Sequence, residues 1–177
     1  MTQRGFAVAA FRDAGDLAQA GAVDDAVPGS AQWRMELMPP ALLVDLGMLL
    51  QALRSQPPEG GPFVVASVDG EFFVIARQLG RRVLLLLSDM TASVEYPLAE
   101  QALTRLGEDP PDDEELDEVW PIGDLDLFAD LDLSEEEMEE ILDDLDSDPD
   151  EILEAIIDRV GLGDQFGQAT AAARVVR

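Results

Sequence analysis

The chain has 177 residues, 47% of them hydrophobic, and a formal net charge of −27, so it can bury a core despite its acidity. It contains no cysteine and no histidine, and its eleven basic residues are all arginine. That composition excludes disulfides, the usual zinc sites, Ser–His and Cys–His nucleophiles, Schiff-base lysines and the P-loop lysine.

The chain opens with Phe6 to Phe11 (FAVAAF), which reads as a short buried strand. Residues 13–32 are small, polar and punctuated by Gly and Pro, the pattern of a long loop or a weak helix. Trp33, Met35 and Leu37 then alternate with Arg34, Glu36 and Met38, giving a second strand that Pro39-Pro40 ends. From Ala41 to Arg54 the leucines recur at helical spacing, predicting an amphipathic helix that needs a sheet to cover. Three strands follow at Phe63–Val68, Glu71–Arg77 and Val83–Leu87. Asp69-Gly70 joins the first two as a type I′ hairpin turn, and Gln78 to Arg82, with Gly80, makes the next turn. The run VLLLL is apolar on both faces, so this strand is expected to be central and covered on both sides. Tyr96-Pro97 opens a helix to Leu106, with Gly107 just beyond its end.

The fold class expected is therefore α+β: an antiparallel sheet with the order β-β-α-β-β-β-α over residues 1–107. An acidic linker at 108–118 (EDPPDDEELDE) has almost nothing to bury. A small helical module follows at 119–168 and a frayed tail at 169–177. In the module, Ser134 with Glu137 signals a capping box, and Asp148-Pro149-Asp150-Glu151 starts a further helix. Residues 1–107 are expected to fold without the rest. The module's own core is marginal, so it is expected to lean on that domain, on a second copy or on a partner.

Charge divides the chain unevenly. Residues 1–106 hold 8 Arg against 12 acids, a net −4, whereas residues 107–177 hold 3 Arg against 26 acids, a net −23. Direct nucleic-acid binding needs a basic footprint, and anionic membranes are disfavoured for the same reason. The apolar runs, Val83–Leu87 among them, are far too short to span a bilayer, and the N-terminus does not read as a signal peptide, so a cytoplasmic location is expected. The attraction left is to a basic protein, approached with electrostatic steering.

Carboxylates are the only catalytic groups available, and with 38 acids their pairing carries little information. Asp124, Asp126, Asp130, Asp132 and Glu135 fall at calcium-loop spacing. Ala129, however, stands where that loop needs glycine, and Phe128 takes a ligand position. No catalytic residue, no metal site and no cofactor is expected. The partner-binding candidates are Asp112, Asp113, Glu114 and Glu115, acids with nothing nearby in sequence to pack against, and Trp120 in the apolar island behind them.

The strand FAVAAF, the core SVDGEFFVIAR followed by VLLLLSD and the helix ending RLG form one part of a wider likeness. The acid-rich linker, GDLDLFADL and EILEAIIDRVGLGDQF complete it. Together they resemble the tRNA adenosine deaminase-associated proteins of actinobacteria, from about Phe6 to Phe166. The resemblance implies association with the enzyme that converts adenosine to inosine in tRNA, and it carries over no catalytic residue. Two alternatives stand beside it: an acidic adaptor or chaperone-like protein, and a nucleic-acid mimic that binds an unrelated basic client. The oligomeric state is left open.

Overall fold

A computed structural model describes residues 4–12, 33–58, 60–114 and 116–175. The stretch read as a loop or weak helix, residues 13–32, lies outside the described residues, as does Glu115. The described residues build an α+β fold on one six-stranded antiparallel sheet of order β2-β1-β3-β4-β5-β6. Its strands are β1 (Gly5–Arg12), β2 (Trp33–Met38), β3 (Phe63–Val68), β4 (Phe72–Leu79), β5 (Arg82–Leu87) and β6 (Ile122–Gly123). The β3–β4 hairpin turns at Asp69 and Gly70, both at positive φ as a type I′ turn demands.

Side chains alternate along each strand, so the sheet has two apolar faces. On one, Val64, Ala66, Phe72, Val74, Leu85 and Leu87 meet α1 (Leu46–Arg54) and α2 (Pro97–Arg105). The helix expected over 41–54 is two pieces, a 3-10 turn at Pro40–Leu43 and then α1. The break has a local cause. Asp45 is extended and its carboxylate accepts the Met48 amide, starting a new helix, while Gln101 of α2 bonds Leu46 N and Val44 O across the interruption.

On the other face, Val8, Ala10, Phe63, Val65, Phe73, Ile75, Leu84 and Leu86 share a core with residues from beyond the linker. These come from the 125–133 segment, α3 (Glu135–Leu142), α4 (Pro149–Arg159) and α5 (Gly163–Val175), with Phe128, Leu153, Ile156, Ile157 and Phe166 among them. Of the supports considered for the module, the structure shows the sheet. The linker separates two compositions and not two cores. Each of these large side chains contributes roughly 1.5–3 kcal/mol when fully buried, so both sides of the linker gain from the contact.

β5 is covered on both faces, but it lies second from the sheet's edge. Two-residue β6, from beyond the linker, pairs with its Leu86 and Leu87. That pairing needs glycine at 123, since a Cβ there would sit 2.2 Å from the Leu85 carbonyl oxygen. At the C-terminus α5 runs past Ala169, where fraying was expected, to Val175. Thr170 is buried and its hydroxyl donates to Phe166 O.

Candidate functional site

After α2 the chain crosses to the second face of the sheet, and between Arg105 and Arg159 it contains no basic residue. Asp112, Asp113 and Glu114 are all exposed. Behind them Leu116, Val119 and Trp120 keep 38%, 53% and 42% of their surface in water, an unusual concentration of large apolar side chains outside a core.

The main chain at Trp120 is fixed. The Asp89 carboxylate accepts the Trp120 amide at 3.2 Å, and Met90 N donates to Trp120 O at 2.8 Å. The same Asp89 oxygen caps the 3-10 turn Met90–Val94 by accepting Thr91 N and Thr91 Oγ1. Immediately beyond, Asp124 closes the edge of β5: its carboxylate accepts Leu85 N and its amide donates to Leu85 O. A bound backbone therefore carries a half-exposed indole.

Beyond this segment the acids form the outer surface of the second helical layer. Asp126, Asp132, Glu135, Glu136, Glu139, Glu140, Asp143, Asp144, Asp146 and Asp158 are exposed. Arg159 is drawn to Glu137 at 2.5 Å, a pair that is about half in water and worth little. Two carboxylates turn inward instead. Asp150 accepts the hydroxyl of Ser67 from β3. Asp130 holds Arg77, whose side chain is fully buried.

Arg77 is the feature that sequence reasoning missed. Its guanidinium donates to Gly61 O, Gly60 O, Leu127 O and both Asp130 oxygens, and it lies 5.6 Å from the Phe128 ring centroid. One cation thus joins β4, the Gly60-Gly61 turn and the segment beyond the linker. The signal was present in sequence: an arginine directly follows the apolar run FFVIA within a strand.

The calcium-loop spacing does not become a cage. Asp124 is committed to a backbone amide, Asp130 to Arg77, and Asp132 sits in a left-handed conformation ending a 3-10 turn. Among the described residues no group of three or more carboxylates is placed to hold a metal ion. Nor, among them, is any helix long and apolar enough to cross a membrane.

Among the described residues one titration is perturbed. Tyr96, at the start of α2, has its phenol pushed up from 10.0, first by burial and then by the charge of Asp69, which accepts its proton in a hydrogen bond. Glu71 and Glu95 add to the shift. The effect ties α2 to the β3–β4 hairpin and belongs to the fold.

The family model of the Rv3753c-like tRNA adenosine deaminase-associated proteins matches residues 21–163. Protein Rv3753c of Mycobacterium tuberculosis is 35% identical over 166 residues, which cover 93% of this chain and 87% of that protein. No solved structure matches.

Proposed function

The chain belongs to the Rv3753c-like tRNA adenosine deaminase-associated protein family, and we propose that it serves there as a non-catalytic binding partner of the deaminase. A zinc nucleobase deaminase needs a His/Cys ligand set beside its catalytic glutamate, and this chain has neither ligand type. It cannot be the deaminase. It can complement one, because an enzyme that grips tRNA presents a basic surface.

The observation that carries the reading is the segregation of charge. Residues 106–158 contain no basic residue, and their acids crowd the outside of one helical layer. Asp112, Asp113, Glu114, Glu115 and Trp120 are the proposed contacts, in the cytoplasm where tRNA is edited. Such a surface steers a basic partner and repels free tRNA.

Calorimetric titration of the full chain with the purified tRNA adenosine deaminase of the same organism tests this. Binding at low ionic strength that weakens as salt rises, with none to tRNA alone, is expected. No heat at low ionic strength, or binding to free tRNA, overturns it.

A further inference from the structure

Acids alone set neither orientation nor register on a partner, since exposed ion pairs are weak and screened. The segment just behind the linker offers what they lack. Leu116, Val119 and Trp120 fall within five residues of one another, each well exposed, while the second layer beyond them, the lone Leu145 excepted, packs its large apolar side chains against the core. An exposed tryptophan on a frayed loop would need both its backbone and its side chain ordered on binding, and each carries a cost. Here the backbone part of that cost is already met, because Asp89 and Met90 hold the Trp120 amide and carbonyl. β6 then pins the following residues to β5.

From this we infer that Leu116, Val119 and Trp120 form a preorganised apolar anchor for an apolar recess bordered by Arg or Lys on the partner protein, with Asp89 as its positioning residue. The occupant's chemistry follows from the flanks: Glu114, Asp117 and Glu118 are exposed around the anchor, and no basic residue stands between Arg105 and Arg159. A bare hydrophobic surface would leave those carboxylates desolvated and unpaired, and an acidic rim would be repelled. Tryptophan is also among the residue types enriched at the energetic centre of an interface. The inference rests on the binding role proposed above and adds a division of labour: the acids supply encounter and salt dependence, and the anchor supplies residence time.

The test uses the full chain and purified deaminase, at low and at moderate salt. Trp120→Ala is expected to weaken binding at least about 30-fold at both salt levels, the mark of a hot spot, chiefly through faster dissociation. Val119→Ser should show the same pattern at smaller size. Asp89→Ala should weaken binding in the same way and also raise acrylamide quenching of the indole in the free protein; Trp33→Phe, introduced alongside, leaves Trp120 as the sole reporter. Leu145→Ser is the control. That leucine is 76% exposed and equally surrounded by acids, but it stands alone. Wild-type binding with an unchanged affinity for Trp120→Ala overturns the anchor and leaves the binding role intact, as does an equal loss in Leu145→Ser. Absence of wild-type binding at low salt overturns both.

Discussion

Replacing Arg77 with methionine removes a buried cation that joins the sheet to the acidic layer, and the cost can be worked from its partners. The methionine fills most of the same volume, so packing changes little. Three carbonyls lose a donor. Gly61 and Leu127 are buried, and Gly60 is exposed and can bind water instead. Each buried carbonyl left unpaired costs about 1–3 kcal/mol, and the cation–π contact with Phe128 adds about 0.5–2 kcal/mol. Asp130 is half-exposed, at 51%, and rehydrates at little cost. The sum is about 2.5–8 kcal/mol, a large part of the roughly 5–15 kcal/mol that holds a domain together. Urea unfolding followed by far-UV circular dichroism should show the midpoint falling with the m-value unchanged. Asp130→Asn keeps an oxygen acceptor for the guanidinium and should lose less than Arg77→Met. A loss below about 1 kcal/mol for Arg77→Met would refute the reasoning, because it would mean water reaches those carbonyls freely.

Four more outcomes are expected. Moderate NaCl should raise the melting temperature of the isolated protein, since it screens repulsion within the −23 half; an unchanged or lower value counts against self-repulsion. A chain ending at Gly107 would bare Phe63, Phe73, Ile75, Leu84 and Leu86, so it should bind hydrophobic dyes and aggregate; a soluble, cooperatively unfolding fragment would show that the first face alone suffices. Replacing Asp112, Asp113, Glu114 and Glu115 with Ser should weaken deaminase binding, mainly in the on-rate, with the melting temperature held or raised. Tyr96 has its pKa raised in the folded state, so its contribution is full below pH 10 and is lost as pH rises beyond it; a Tyr96→Phe protein should lose less stability than wild type across that alkaline range.

Much of the fold was legible because it depends on periodicity. The alternation at Trp33–Met38, the Asp-Gly turn and the Pro-started helix at Pro97 are local signals, and local geometry decided them. What could not be read was pairing between distant segments. Val119-Trp120-Pro121-Ile122 reads as an apolar island, and only the approach of β5 makes Ile122-Gly123 a strand. The break before α1 was hidden for a different reason: leucine spacing continued through it, and the Asp45 cap carries weight only once Gln101 bonds the interrupted backbone. Of the candidate site, exposure of Asp112, Asp113 and Glu114 followed from composition. The bracket on Trp120 did not, because Asp89 lies 31 residues away in sequence.

The acidic layer is held against its own repulsion, and α3 shows the balance. Glu135 faces Glu139 and Glu136 faces Glu140, four residues apart on one short helix, and Asp143 and Asp144 follow at and just past its end. Like charges at that spacing cost about 0.2–0.5 kcal/mol per pair, so the two pairs cost about 0.4–1 kcal/mol together. Glu135, Glu136 and Glu137 recover some of this at the positive end of the helix, whereas Asp143 and Asp144 stand at the negative end and recover none. Buried Met138 and Leu142 contribute about 1.5–3 kcal/mol each, which is enough to hold the helix down but leaves the repulsion unrelieved. A cationic partner over this surface would release that free energy on contact. In the proposed binding role, that gain would come from the charges of a folded, well-anchored layer, whereas a disordered acidic tail of equal charge would spend much of it on ordering itself.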